Sequence, residues 1–437
     1  MNTNTDQLLA KFKTEFLEPA GPVTATPSNA ASKQAFMDLS RMEDHRMIQQ
    51  MRAFYAQDGR RNPYFMPRQG RISDRLQVQG QDYISYSGYN YLGLSHDERV
   101  IQAAQQALAR YGTHAGAARM VGGELELHRE LEQSLAQAFG FEDCLASVGG
   151  YVVNVMTIGY LLGAKDLLLM DEYMHNSGVM GGVMSNARRI LFPHGDYAAL
   201  ERLLASNRSR YERAMILVEG AYSMDGDLAD LPRLLEIKRR HHAWLMVDEA
   251  HSLGVVGATG RGLCEHWQVD PREVDIVMGT LSKSFASCGG FLGGSREMID
   301  LLRHFAPGLL LYSTGLPPAS AASAREAVRI MVQEPERVQR LQGNARRFVE
   351  LARARGFHLG CQGESAVVPL ILGDTELALQ LMSDLLEAGI IAHAVMYPVV
   401  ARDKARLRFF LTSEHTEAQF VQTLDLLRRL MPGQRAG

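Results

Sequence analysis

Cysteine is scarce in this 437-residue chain, and the four present, Cys144, Cys264, Cys288 and Cys361, include no C-x-x-C pair. That distribution offers neither a zinc ribbon nor a disulfide framework, so no metal is expected and a reducing compartment, the cytoplasm, is. Long hydrophobic runs are missing too. The greasiest stretch, 150–164, is interrupted by Asn154 and Thr157 and is too short to span a bilayer, and the opening residues MNTNTDQLLAKFKTEF lack the apolar core of a signal peptide. Neither export nor a membrane span is expected. No charge of one sign dominates: 46 Lys and Arg stand against 49 Asp and Glu, a net of -3, so the basic surface that nucleic acid or an anionic membrane requires is absent. What remains is 46% apolar and 22% charged, over a length suited to two or three domains with a substantial core.

Pattern divides the chain into four parts. Residues 1–39 contain GPVTATPSNAAS, a run without periodicity that reads as a flexible arm. In 40–94, Met42, Met47, Ile48, Met51 and Phe54 recur near helical spacing, which predicts an amphipathic helix whose methionine stripe is used for packing. Short strands at 75–79 and 82–87 then form a peripheral layer. From 95 to 320, helices alternate with short apolar runs at 166–170, 188–192, 214–220, 243–249, 275–279 and 290–294. This is the signature of an α/β domain, a mostly parallel sheet with helices on both faces. Residues 321–437 hold the rest of a bridging helix, a second long helix and a smaller α+β C-terminal domain with strands at 365–372 and 406–412.

Chemistry concentrates where strands end, which is where open α/β sheets bind ligands. Lys283 follows the apolar run 275–279 with no charged neighbour for several residues, so burial would favour its neutral, nucleophilic amine. Asp248 ends Trp244-Leu245-Met246-Val247 and needs a cationic partner there, such as a protonated heterocycle nitrogen. Glu219 ends another strand, His251 lies three residues beyond Asp248, and Ser223 and Thr280 offer hydroxyls. Gly149-Gly150-Tyr151 opens a helix whose free N–H groups suit a phosphate. Singly, each has a plainer reading: a helix cap for Asp248, turns for Gly149-Gly150 and Ser223, a core histidine for His251. Together they describe a pyridoxal phosphate site.

Five ordered segments, VEGAYSMDGDLADL, MVDEAHSLGVVGATGRG, GTLSKS, YSTGLPP and RLRFFLTSEHT, closely resemble the pyridoxal 5'-phosphate-dependent α-oxoamine synthases, from about residue 82 to 430. The resemblance implies a fold-type I transferase. It assigns Lys283 as the Schiff-base lysine and Asp248 as the partner of the ring nitrogen. His251 would contact the ring hydroxyl, and Ser223 and Thr280, with Ser282 beside it, the ring and phosphate. Gly150 and Tyr151 would contact the phosphate, and His175 would stack on the ring and help catalysis. Ser313 and Thr314 would reach the phosphate of a partner subunit, implying a homodimer. Arg408 would clamp the amino-acid carboxylate, with Arg406 expected on the other side of the strand; Asn90 and Glu219 are further substrate candidates. The reaction implied is Claisen condensation of an amino acid with an acyl thioester on CoA or an acyl-carrier protein, decarboxylative in most members.

Departures from the family pattern bear on substrate. Tyr89 occupies the position where the family usually has asparagine, with Asn90 next. Ala118 stands where glycine-restricted members carry threonine, which predicts a roomier side-chain pocket, and Met396-Tyr397-Pro398-Val399-Val400 lacks an arginine suited to a dicarboxylic acyl chain. Two other classes share part of the pattern. An aminotransferase or decarboxylase of the same fold need not carry YSMDGD and RLRFFLT, and a non-catalytic partner subunit would normally have lost Lys283.

Overall fold

Short, largely buried runs of β-branched and aliphatic residues, with Arg188–Phe192 at one edge only partly buried, build the central sheet of the computed structural model, which describes residues 36–57, 61–397 and 399–431. In chain order the strands are β1 (Arg68–Gln69), β2 (Arg75–Val78), β3 (Gln81–Ser85), β4 (Asp143–Ser147), β5 (Leu167–Asp171), β6 (Arg188–Phe192) and β7 (Ala214–Glu219). They continue as β8 (Trp244–Asp248), β9 (Ile276–Thr280), β10 (Gly290–Gly294), β11 (Val367–Ile371), β12 (Ile390–Ile391), β13 (His393–Val395) and β14 (Arg406–Phe410). Seven form the main sheet, in the order β4-β10-β9-β8-β7-β5-β6. Helices cover both faces, and continuous apolar strands of this kind belong to sheets buried on both sides.

Six of these strands lie within a residue or so of the apolar runs in the sequence. The seventh, β4, has no such signal: DCLAS is short, starts on a charge and contains small residues. Strand β10 is antiparallel to both β9 and β4. The connection from β9, residues 281–289, is shorter than the dozen or so residues a parallel crossover needs, so the chain must turn straight back. That turn carries Lys283.

The peripheral strands join the far end of the chain. Strand β3 pairs in parallel with β12, Ile84 against Ile390 and Ser85 against Ile391, in a sheet ordered β1-β2-β3-β12. A third sheet, β11-β14-β13, packs beside it, against the helices Glu336–Ala354 and Thr375–Glu387. Gly226 ties this part to the main sheet: its φ is +76°, and an added Cβ would collide with the carbonyl oxygen of Val367 on β11.

The methionine stripe, expected to pack in the core or at a dimer contact, is not packed into the core of this chain. Helix Glu43–Gln57 forms, but Met42, Met47 and Ile48 are exposed because no described part of the chain covers them. The arm expected over residues 1–39 falls, as far as residue 35, outside the described residues.

Candidate active site

Register places the chemistry. Glu219 on β7 stands opposite Asp248 on β8, and Asp248 opposite Met278 on β9, so the two acids and the end of β9 share the carboxyl edge of the sheet. Beyond that edge lies a pocket of about 370 Å³ whose walls include Glu219, Asp248, His175, His251, Lys283 and Arg408. Four of these were singled out at or near strand ends in the sequence, and a fifth, His175, came with the family resemblance. The sixth, Arg408, comes from β14, so the pocket lies where the main sheet meets the small one.

Asp248 is buried, and its bonds are to neutral donors: the Asn154 amide at 2.7 Å and the Ala250 N–H at 3.0 Å. No ion pair reaches it among the described residues, so the carboxylate is left short of a cation. Burial disfavours the Lys283 ammonium and, against the charges of Asp248 and Glu219, holds the amine down to about 8. Burial, reinforced by Asp248, pushes the Glu219 carboxyl up to about 8. Its Oε2 accepts from the Ser223 N–H at 3.0 Å while Oε1 has no partner. The cluster therefore contains an amine able to act as a nucleophile and a carboxyl able to hold a proton near neutrality.

The two histidines are both kept neutral. Burial lowers His175, with Asp248 opposing, and its Nδ1 is held by Ser177 Oγ at 2.7 Å and by the Ser177 N–H at 3.2 Å. Burial carries His251 well below its ordinary value, helped by Lys283 and Arg408, and its Nδ1 meets the Tyr91 hydroxyl at 2.8 Å. Burial also lowers Arg408, whose Nη1 donates to Ser223 O at 2.9 Å and whose guanidinium lies 4.5 Å from the Phe410 ring centroid. Its Nε has no partner among the described residues. That leaves guanidinium donors for a bound carboxylate.

The start of helix Gly150–Leu161 forms another wall. An added Cβ on Gly150 would stand 2.8 Å from Met278 Cε and 3.2 Å from Thr280 Oγ1, so only glycine allows the helix N-terminus this close to β9. Thr280 Oγ1 and Ser282 Oγ lie 2.8 Å apart beside it, and Tyr151 donates to Asn176 Oδ1 at 3.0 Å. Backbone N–H groups and two hydroxyls thus converge where an anion can sit. Gly150, Tyr151, Ser223, Thr280 and Ser282 all line the pocket.

Two sequence expectations are corrected, those for Asn90 and Arg406. Asn90 does not face the pocket: its amide donates to Ile72 O at 3.1 Å and accepts from the Ser95 N–H at 3.0 Å, holding a turn, while Tyr89 takes the wall with its ring 5.5 Å from Lys283 Nζ. Arg406 is not on the opposite side of the strand from Arg408, since residues two apart on a strand share a face. Both reach the same turn, Arg406 through Asp225 Oδ1 at 2.6 Å and Met224 O at 2.9 Å. The Asp225 ion pair makes Arg406 a support for the turn under Arg408. Ser313 and Thr314, expected at a partner's phosphate, do not line this chain's pocket, and Thr314 forms a β-bridge with Ala118.

Three residues escaped the sequence reading as site groups: Asn154, Ser177 and Tyr91. Asn154 was detectable, because a buried amide one helical turn past Gly150 in an otherwise greasy helix needs a polar partner. Among the described residues no group of three or more His, Cys, Asp or Glu could hold a metal ion, and no helix is long and apolar enough to cross a membrane.

Comparison with known proteins gives this geometry its relatives. The family described as aminotransferase class I and II matches residues 81–427. An 8-amino-7-oxononanoate synthase of Methylorubrum extorquens is 43% identical over 354 residues, 81% of this chain and 87% of its own length. An 8-amino-7-oxononanoate synthase 1 of Bacillus subtilis is 36% identical, covering 80% and 89%. Among solved structures, the serine palmitoyltransferase of Sphingomonas wittichii superposes with a TM-score of 0.85 at 30% identity, over 90% of this chain and 98% of that one. One from S. paucimobilis, a variant with a bound PLP–myriocin aldimine, gives 0.84 at 29% identity, over the same shares. Sequence motifs, fold and relatives agree: the chain belongs to the class I and II aminotransferase family and, within it, to the α-oxoamine synthases.

Proposed function

We propose that this protein condenses an amino acid with an acyl thioester, with pyridoxal phosphate as cofactor, releasing thiol and carbon dioxide and giving an α-amino ketone. One observation carries the reading: a half-buried amine held down to about 8 and a buried carboxylate that no cation meets among the described residues share one pocket with an arginine. The residues fit the cofactor. Lys283 would hold its aldehyde carbon and Asp248 its ring nitrogen, with His251 at the ring hydroxyl. Gly150, Tyr151, Ser223, Thr280 and Ser282 would hold the ring and phosphate, the last at the helix N-terminus that Gly150 brings close. Bound there, pyridoxal phosphate supplies an electron sink for negative charge at the amino-acid α-carbon.

The chain's own groups do the rest. Arg408 orients the amino-acid carboxylate through guanidinium N–H groups free of internal partners. Lys283 would take the α-proton, which suits an amine whose conjugate acid lies near working pH. His175, fixed through Nδ1 by Ser177, presents its other nitrogen as a donor to the oxygen of the attacked thioester carbonyl. The carbon–carbon bond forms as the carbon–sulfur bond breaks and the thiolate leaves with a proton. Loss of the carboxylate as carbon dioxide leaves a carbanion that Lys283 reprotonates.

The holoenzyme with acyl-CoA and each of the twenty amino acids tests this: thiol and carbon dioxide should appear in equal amounts and only with a particular amino acid present. Keto-acid formation without thiol release would instead mark an aminotransferase. We assign the working form as a cytoplasmic homodimer in which Ser313 and Thr314 serve the partner's phosphate. Their position away from their own pocket and the uncovered Met42, Met47 and Ile48 support this. Sedimentation as a single 48.5 kDa species would exclude it.

A further inference from the structure

Glycine brings two helices of the site close together. Helices Gly150–Leu161 and Asn176–Ser185 pack so tightly that an added Cβ on Gly181 would stand 2.8 Å from Ile158 Cβ and 3.1 Å from the Asn154 carbonyl oxygen. No larger residue permits that approach. Its result is a bond across the seam: the Asn154 amide donates to Ser177 Oγ at 2.8 Å, and both residues are buried.

The same amide nitrogen also donates to Asp248 Oδ2, at 2.7 Å. Turned the other way, the amide would set its oxygen against a carboxylate oxygen, so Asp248 fixes which way Asn154 points. Both amide hydrogens are then committed, one to Asp248 and one to Ser177. Asn154 Oδ1 is left without a partner among the described residues, a buried orphan acceptor that an apolar side chain would avoid. From here the direction of each bond is forced. Ser177 Oγ accepts from Asn154, which leaves its own hydrogen for His175 Nδ1 at 2.7 Å. The Ser177 N–H also donates to Nδ1, at 3.2 Å, where His175 caps helix Asn176–Ser185. With two donors on Nδ1, the neutral imidazole carries its hydrogen on Nε2.

We infer that Asn154 and Ser177 are positioning residues that couple Asp248 to His175: the aspartate orients the amide, the amide orients the hydroxyl, and the hydroxyl holds His175 as an Nε2–H donor. The group that meets the ring nitrogen thus also sets the group that meets the thioester oxygen, with no direct hydrogen bond between the two among the described residues. For those two roles the inference rests on the condensation reading. The coupling itself belongs to the protein without cofactor or substrate.

The test reads the His175 ring-nitrogen NMR shifts in the full-length, cofactor-free protein, with the signals assigned by their loss in His175→Gln. Wild type should show an unprotonated, hydrogen-bonded Nδ1 and a protonated Nε2. Asp248→Asn removes the anion that orients the amide and should shift the Nδ1 signal. In an Asn154→Leu background the same substitution should add no further shift, because the connection is already cut. Equal shifts in both backgrounds would mean that the Asp248 charge acts through space, and no shift in either that the amide takes no orientation from it; each result overturns the coupling. Ser177→Ala cuts only the second link and keeps the Asn154–Asp248 bond, so it provides the same comparison where Asn154→Leu fails to fold. In the holoenzyme, Ser177→Ala should slow thiol release about tenfold with the thioester KM within about twofold, while deuterium exchange at the amino-acid α-carbon, the work of Lys283, stays within about twofold. Equal loss in both would make Ser177 a packing residue and overturn its link to His175. Wild-type enzyme that exchanges the α-proton yet releases no thiol from any thioester sinks the condensation reading, and the nitrogen shifts then decide the coupling alone.

Discussion

Two buried aspartates end parallel strands of the same sheet, and their surroundings differ in one respect. Asp171, at the end of β5, accepts from His194 Nδ1 at 3.0 Å and from the N–H groups of Tyr173 and Gly195, at 2.8 and 3.2 Å. His194 Nε2 goes on to Asp227 at 3.0 Å. Asp248, at the end of β8, has only neutral donors. The first carboxylate is closed by a cation of the chain itself and clamps three loops; the second is open and awaits a ligand. A strand-end acid is thus scaffold or site according to whether the protein completes its bonding, which its position along the strand does not decide.

The sharpest way to break this contrast is to neutralise each acid in turn. Asp248→Asn removes the charge that no internal cation meets, so the folded protein should survive while kcat/KM falls by about 10²–10⁴, the range for a group acting on proton transfer. Asp171→Asn leaves His194 beside a neutral amide in a buried clamp and should cost about 3–5 kcal/mol of stability, read from urea midpoints. Its kcat per folded molecule should stay within about threefold. If Asp171→Asn loses rate as Asp248→Asn does, the clamp belongs to the chemistry and the distinction fails.

The pH dependence of stability should carry opposite signs in the two places. Burial alone would lower His194, but its hydrogen bonds to Asp171 and Asp227 outweigh it and raise the imidazole to about 10, above an ordinary value of about 6.5. Its contribution, roughly 3 kcal/mol, is therefore fully present below about pH 6.5 and is lost as pH rises through about 10. Lys283 is the reverse: a folded value of about 8, below an ordinary ~10.4, means that burying the ammonium destabilises the protein below pH 8. That cost disappears as pH rises from about 8 to about 10.4. In the cofactor-free protein, His194→Gln should thus be less stable than wild type by an amount that shrinks with pH. Lys283→Met should be more stable by roughly 2 kcal/mol at pH 7, an advantage that also shrinks. Urea melts across this range check both, and parallel curves for either variant would show that the charge state assigned to it is wrong.

The contrast was half legible in the sequence. Lys283 stood out as a lone charge and Asp248 as an acid directly after an apolar run, and the strands that lead to them alternate with helices in a way that fixes the carboxyl edge. The clamp was invisible: Asp171 also ends an apolar run, but its partners lie at 194 and 227, and only the tertiary fold brings them together. Strand β4 was missed for want of β-formers, and β10 was found without its reversed direction, which follows from the length of the loop before it. Asn90 was misplaced because a turn has no periodicity to say which of two neighbours looks inward, whereas the side on which Arg406 lies could have been read from strand geometry alone.

The smallest effect tests whether an open site still needs a closed bond behind it. Tyr91 is fully buried and His251 is its hydroxyl's one hydrogen-bond partner among the described residues. A buried O–H without another acceptor must donate, so Tyr91 gives its proton to Nδ1 and the neutral imidazole carries its own on Nε2. His251 then faces the pocket as a donor through Nε2, the form needed to meet a ring oxygen. Tyr91→Phe removes the bond at a cost of about 1 kcal/mol and lets the proton move to Nδ1. The expected result is a fall of about fivefold in kcat, little change in KM for the thioester, and a change in the His251 nitrogen shifts reporting the other tautomer. If the shifts stay as in wild type while kcat falls, the hydroxyl acts by packing alone, and the orientation of His251 is set by the pocket rather than from behind.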